Sequence, residues 1–397
     1  MAIDEDSFYT MRLADAPADI KLSISGNGVD YKLRSAFSAQ HPEALLQIDD
    51  RSISPADVAN RIRTGDAQTD IFVMQTDASF GALIEKGFTS PLEDDARIAD
   101  SAQRMFPSIH AALSDSEGHL VAYPVSIRTT AWGYKEALWQ KHFGDAPLPA
   151  TYLELFNAFE TFMQLDNDDG DLFFVDYDQA RMVRYVLNAH IAAHGDEARF
   201  DDPLLLETLT QLERVQQILR ERDMETWFEG DLYNDSEIVG VHSIFSMGSG
   251  YSSDTWQLSD WGRIPMSLDG EEHTVGRMTV LTVNPLSEHQ ELARAFIATA
   301  TQADTGVVRY SMLHRDAQSV TQVNSRGEEE TIVSDEALQK WAQATETLSF
   351  GERTVLLDED MSASIETLCE RYVSGQMPLQ AMLSQLDAAA NMIRQEK

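Results

Sequence analysis

Several short stretches of this chain carry residue types that could do chemistry, and each departs from the motif it approaches. Gly26-Asn27-Gly28-Val29-Asp30-Tyr31 begins like a dinucleotide-binding loop, but Tyr31 stands where the third glycine must let helix and strand pack closely. It reads as a tight loop feeding a helix N-terminus, with amides that can still face a polar ligand. Leu165 to Asp171, LDNDDGD, approaches a calcium loop. Placing Gly170 on the required glycine puts Leu165 at the first ligand position and Asp176 at the twelfth, so the run reads as a solvated acidic turn. His190 and His194 are four apart on a helical stretch, the spacing of two ligands on one face. Ile191 occupies the place of the glutamate that zinc proteases carry, and no metal site is expected. Ser249 lies directly between Gly248 and Gly250, whereas a nucleophile elbow sets its glycines two residues away. That loop, SMGSGYSSD, reads equally as a flexible turn or as a surface whose amides, hydroxyls and Tyr251 face a ligand. A last stretch, GHLVAYPVSIRTTAWGY (Gly118 to Tyr134), sets Arg128 alone in a neutral run between Pro124 and the aromatics Trp132 and Tyr134.

None of this demands an enzyme, and 66 acidic residues offer no means of selecting a catalytic pair. Cys369 is the only cysteine, which excludes an internal disulfide and a cysteine-rich metal site. With 30 basic residues the net charge is -36, a surface that repels nucleic acid and anionic headgroups, so neither is expected as a direct partner. No run approaches the ~18 apolar residues of a membrane span. The opening MAIDEDSFYT has neither the basic nor the apolar region of a signal peptide, and disulfide-free composition leaves the compartment open.

The elements that must position these residues follow from periodicity. Ile20, Leu22 and Ile24 alternate as in a strand; Leu33 and Phe37 fall on one face of a helix stopped by Pro42. ALLQID and TDIFVMQ read as strands around a helix SPADVANRIRTG, with Ser54 as N-cap and Pro55 in its first turn. A helix ending near Gly87 follows. Strands alternating with helices of this length imply βαβ units and a mostly parallel sheet. His119 to Tyr123 reads as a strand that ends at Pro124. Beyond it come long helices (TYLELFNAFETFMQL, QARMVRYVLNAHIAAHG, PLLLETLTQLERVQQILRERD), then short strands between Ile238 and Val283. The chain is helical again from about Ser334. Trp139, Trp227 and Phe228 read as core.

In their order, these segments resemble the extracellular solute-binding proteins of carbohydrate ABC importers, the class that includes maltose-binding protein. LRSAFSAQHPEALLQI is similar to the family's helix and second strand, and TGDAQTDIFVMQTDASFGALIEKGFTSPLED to its Asp-led strand, helix, glycine and Pro-Leu turn. GHLVAYPVSIRTTAWGYKEALW resembles the segment that passes from first lobe to second, although the family's Tyr-Asn-Lys is Tyr134-Lys135 here. PLPATYLELFNAFETF is similar to the next helix start, with Tyr152 for Trp. NPLSEHQELARAFIATAT and VSGQMPLQAMLSQLDAAAN match later helices. The likeness covers most of the chain.

What the resemblance implies is a type II periplasmic-binding-protein-like fold, two α/β lobes joined by hinge crossings. The lobes would be residues 1–126 with 282–322, and 127–281 with 323–397. It implies a non-enzymatic, monomeric receptor without cofactor or metal, which delivers a mono- or oligosaccharide to ABC permease subunits. The native protein would work outside the cytoplasm, held to the membrane only by a lipid on a cysteine upstream of this chain. Carried over position by position, the ligand contacts would be Asn27, Gly28, Asp77, Arg128, Trp132, Arg181, Tyr185, Ser249, Tyr251 and Arg277. Such a set suits a sugar, whose ring faces want flat aromatics and whose hydroxyls want amides, carboxylates and the planar fork of arginine. Arg128 and Arg277 also allow an acidic sugar, by charge-assisted hydrogen bonds. The alternatives are a receptor for a peptide, polyamine or organic anion, and a two-domain α/β hydrolase.

Overall fold

The computed structural model of the chain describes residues 8–11, 20–129, 131–165, 170–174, 178–221, 243–246, 262–264, 266–271, 274–302, 313–323, 327–346, 348–350, 354–357 and 359–396. In chain order the strands are β1 (Phe8–Met11), β2 (Ile20–Ser25), β3 (Ala44–Asp49), β4 (Ile71–Gln75), β5 (Tyr123–Thr129), β6 (Trp132–Tyr134), β7 (Leu172–Phe174), β8 (Ser243–Ser246), β9 (Gly262–Ile264), β10 (Thr274–Val283), β11 (Val320–Val323), β12 (Glu329–Val333) and β13 (Leu348–Ser349). The helices used below are α1 (Tyr31–Gln40), α2 (Pro55–Arg63), α3 (Ala78–Glu85), α4 (Ala96–Arg104), α5 (Pro107–Ala112), α6 (Glu136–Phe143), α7 (Tyr152–Phe162), α8 (Gln179–His194), α9 (Pro203–Glu221), α10 (Gln290–Thr299), α11 (Asp335–Glu346), α12 (Glu359–Val373) and α13 (Leu379–Glu396). The chain divides into two compact units. Unit 1 takes the described residues of Met1–Arg128 and Gly276–Arg353; unit 2 takes those of Thr129–Tyr251, Leu258–Val275 and Thr354–Lys397.

Unit 1 is built on a sheet ordered β1-β3-β2-β4-β10-β13, with β5 also paired to β10. β3, β2 and β4 run parallel, because α1 and α2 return the chain to the same end of the sheet each time. Ile71 to Met74 are four buried residues in a row, the pattern of a strand covered on both faces. α1 lays Leu33 and Phe37 on the sheet, and Phe37 meets Phe296 of α10 edge to face at 5.1 Å. Each such ring withdrawn from water contributes about 1.5–3 kcal/mol. α2 begins where the sequence predicts: Ser54 and Asp57 form a reciprocal capping box, with Pro55 in the first turn.

One expectation is reversed. The strand does not end at Pro124; it starts at Tyr123 and runs through the proline to Thr129. Proline fixes φ and removes one donor, which the second residue of a strand tolerates. His119 to Ala122 are not strand, although Leu120, Val121 and Ala122 are buried.

Unit 2 has a four-stranded sheet, β7-β8-β6-β9, packed among long helices. Its core is aromatic: Phe159 stacks on Phe174 with centroids 5.6 Å apart, and Trp139 stacks on Phe143 at 4.1 Å, in the core position the sequence suggests. α7 starts on a second capping box, Thr151 with Glu154. The acidic run near Gly170 is not simply solvated. Asp171 is buried, and its Oδ2 accepts from Lys141 Nζ and from His142 Nε2, the latter at 2.8 Å. Asp166 to Asp169 and Asp176 lie outside the described residues, as do Trp227 and Phe228.

Candidate functional site

In unit 1 the parallel strands have the order β3-β2-β4, so the connection from β2 leaves to one side of the sheet and the strand after next returns on the other. Between the carboxyl ends of β2 and β4 the loops therefore diverge, and open α/β sheets bind ligands outside such a switch point. The loop after β2 is Gly26 to Asp30; the turn after β4 is Thr76-Asp77. Asn27, Gly28 and Asp77 thus reach the same edge.

The loop over this edge is shaped by glycine. Gly26 has φ +119° and its amide donates to Asp49 O at 2.8 Å; a Cβ there would lie 1.9 Å from Val73 O. Only glycine fits so close to the β4 backbone. Gly28 also has positive φ, +118°, and its Cα faces Thr279 of β10 and Val73. The loop accordingly crosses the end of β4 towards β10, leaving Asn27 and Gly28 exposed.

β10 runs antiparallel to β4, with Thr279 opposite Gln75. Its residues before Thr279 extend past the carboxyl end of β4, where Thr76 N donates to Met278 O at 2.8 Å and Met278 N to Thr76 Oγ1 at 3.0 Å. Arg277 is next to that clasp and exposed. Asp77 is half-buried and caps α3, its Oδ1 accepting from Phe80 N at 3.0 Å. A carboxylate held this way has one oxygen fixed by the helix end, which also favours its negative charge. Arg128 is exposed near the end of β5, the last residue of unit 1 before the chain enters unit 2.

Two further side chains stand at this edge that the sequence reading leaves out. Tyr31, the first residue of α1, is 68% exposed. Arg51 follows the carboxyl end of β3 and grips Asp49 through two bonds, Nε to Oδ1 at 2.8 Å and Nη2 to Oδ2 at 2.6 Å. The Arg51 guanidinium holds the Asp49 carboxyl below the usual carboxylate range. An aromatic next to a positive-φ glycine loop was the available signal for Tyr31. Arg51 carried none, because Asp49 is fixed as its partner only by the fold.

In unit 2, Arg181 and Tyr185 are one turn apart on α8 and both half-buried. Asp178 caps the helix, its Oδ1 accepting from Arg181 N at 2.7 Å. Trp132 is 0% exposed, with its ring edge to face on Tyr152 at 6.3 Å and on Tyr185 at 6.4 Å. Its indole is a core element that supports Tyr185 and offers no open face for stacking. His190 is likewise a core histidine: Nε2 meets Arg199 O at 2.8 Å, and burial pushes its pKa down. Among the described residues no cluster of three or more His, Cys, Asp or Glu is arranged to hold a metal ion. Burial raises the Cys369 thiol to about 12, so it stays protonated and inert. Ser249 and Tyr251 lie outside the described residues.

No family model matches the sequence, and no curated protein does. Solved structures do. Maltose-bound MalE3 of T. maritima superposes with a TM-score of 0.58 over 94% of this chain and 100% of its own, at 16% identity. The msme binding protein of Bacillus subtilis, in an open conformation, gives 0.63 over 96% and 98%, at 15% identity. This chain has the type II periplasmic-binding-protein-like fold. An ABC transporter solute-binding protein of Thermotoga lettingae, bound with alpha-D-tagatose, shares it with a TM-score of 0.59 over 94% and 100%, at 14% identity. At such identities the likeness shows the fold alone. Among the described residues no helix is long and apolar enough to cross a membrane.

Proposed function

We propose that this protein is an extracytoplasmic solute-binding receptor that captures a carbohydrate and delivers it to an ABC importer. The observation that carries the reading is the switch-point edge of unit 1. A glycine loop, a capping carboxylate and an exposed arginine meet there, in a fold whose solved neighbours include maltose- and tagatose-bound proteins. Asn27, Gly28, Asp77, Arg128 and Arg277 would form the unit 1 contacts. Arg181, Tyr185, Ser249 and Tyr251 would form those of unit 2, with Trp132 acting beneath Tyr185. The lobes would follow the two compact units, which change over near Arg128, Gly276 and Arg353. Amides and carboxylates suit sugar hydroxyls, and arginine can hold two oxygens at once.

The mechanism is ligand-driven closure: a sugar held by both lobes stabilises the shut form, and the permease engages that form. The receptor acts as a monomer without catalysis, tethered by a lipid upstream of this sequence. A thermal-shift screen against maltose, xylotriose, D-galactose and D-tagatose tests the reading. A sugar at a hundred times its Kd should stabilise by about 2.7 kcal/mol. Stabilisation by spermidine or a peptide alone, or steady consumption of the sugar, would replace the reading with one of its rivals.

A further inference from the structure

Tyr31 has no structural reason to be where it is. α1 buries Leu33 and Phe37, and Tyr31 projects away from both, as the helical rotation between these positions requires. It is not a cap, a role Asp30 fills by accepting from Lys32 N at 2.6 Å. The first position of a helix favours proline, whose fixed φ suits it, and a tyrosine there brings no such advantage. Among the described large apolar and aromatic side chains it is the most exposed, at 68%, and the only aromatic among those left largely exposed.

The frame that carries it is nevertheless rigid. Gly26 is tied to Asp49 O and pressed on Val73; Arg34 donates Nε and Nη2 to Val29 O at 3.1 and 2.7 Å; Asp30 clamps the first turn. Three ties within a few residues fix the backbone of Tyr31, so only two side-chain torsions remain to be ordered on binding. A water-exposed ring on a braced loop, at the edge that holds Asn27, Gly28 and Asp77, is suited to one kind of ligand surface. That surface is flat and apolar with hydroxyls around its rim, which is the face of a pyranose ring.

We infer that Tyr31 is a specificity-determining residue, a stacking platform that selects solutes with a pyranose face over small or linear polar ones. The inference rests on the sugar-receptor reading above and adds to it a contact that reading does not contain. Its test is isothermal titration of the full chain with maltose, xylotriose, D-galactose and spermidine, using wild type, Tyr31→Phe, Tyr31→Ala and Tyr31→Trp. Tyr31→Phe should bind the preferred sugar within about threefold of wild type, because the ring is kept. Tyr31→Ala should lose about tenfold or more, in line with aromatic contacts measured elsewhere, while its melting temperature stays unchanged because the side chain is exposed. Tyr31→Trp should show a sugar-dependent change in emission over and above that of the six native tryptophans, measured by titrating wild type in parallel. Full affinity in Tyr31→Ala, or a Tyr31→Trp emission indifferent to a sugar that binds, overturns the inference and leaves the receptor reading standing. If wild type binds none of the three sugars, both fall together.

Discussion

At the scale of single residues, the candidate site depends on atoms that are missing from glycine. Gly26 combines a φ of +119° with a hypothetical Cβ 1.9 Å from the Val73 carbonyl oxygen, so Gly26→Ala must both strain its own backbone and push the loop off β4. Gly65 is the control: φ is +82°, with nothing within 4 Å of its Cβ position. Gly65→Ala should therefore cost only the conformational penalty, about 1 kcal/mol, whereas Gly26→Ala should cost about 3 kcal/mol or more. Urea unfolding of the two variants measures the difference, and equal costs would mean that the loop yields freely. The sequence shows two glycines flanking Asn27 but not which is indispensable. That depends on Val73, a residue brought alongside only by the β2–β4 pairing. Tyr31 was half legible: the helical period already sets it off the face of Leu33 and Phe37, but the sheet edge it stands at is fixed only by the strand order.

At the scale of elements, caps are the best-read feature and long-range pairings the worst. Ser54 was legible as an N-cap because serine, proline and a hydrophobic period follow one another in sequence. Thr151 heads a capping box of the same kind, and Thr151→Ala should lower stability by about 1 kcal/mol, read as a shift in the urea midpoint without a change in slope. The insertion of β10 between β4 and β13 joins residues some two hundred positions apart, and no local pattern carries that. The same holds for a buried knot in unit 1. Ser101 Oγ of α4 lies 2.9 Å from Tyr123 OH of β5 and 2.7 Å from Nε2 of His314, which belongs to the segment just before β11. Burial lowers the His314 pKa from 6.5 to about 4, with the neighbouring Arg104 adding to the shift and Asp316 and Asp100 opposing it. The folded state thus holds this imidazole neutral where the unfolded chain would protonate it. Its contribution is complete above pH 6.5 and is lost as the pH falls towards 4, by at most about 3 kcal/mol over that window. Urea midpoints should drop between pH 7 and pH 5, and His314→Gln, which keeps a polar atom for Ser101 but cannot titrate, should flatten the drop. Part of the slope should survive, because burial also lowers the His190 pKa. An unchanged slope in His314→Gln would show that the knot opens to water before it protonates.

At the scale of the whole molecule, the dominant fact is a net charge of -36. The order of strands and helices made the α/β architecture readable, but charge says nothing of fold; it sets how the folded chain responds to its medium. Among the described residues the ion pairs that offset the excess are mostly local, as between Arg97 and Asp95 or Lys340 and Glu336, and solvent screens the exposed ones. Against them stands repulsion among the carboxylates, which outnumber the cationic side chains 66 to 30, acting over the Debye length. That length falls from about 30 Å at 0.01 M salt to about 3 Å at 1 M. Screening removes long-range repulsion first and weakens contact pairs least, so added NaCl should stabilise the protein. We expect the melting temperature to rise by about 5 °C between 10 mM and 0.5 M NaCl, the shift that about 2 kcal/mol produces in domains of this size. Calorimetry at fixed pH checks it, with choline chloride in place of NaCl to separate screening from sodium binding. A melting temperature that falls with salt would mean that the surface pairs outweigh the repulsion, and that the acidic excess is spread too widely to strain the fold.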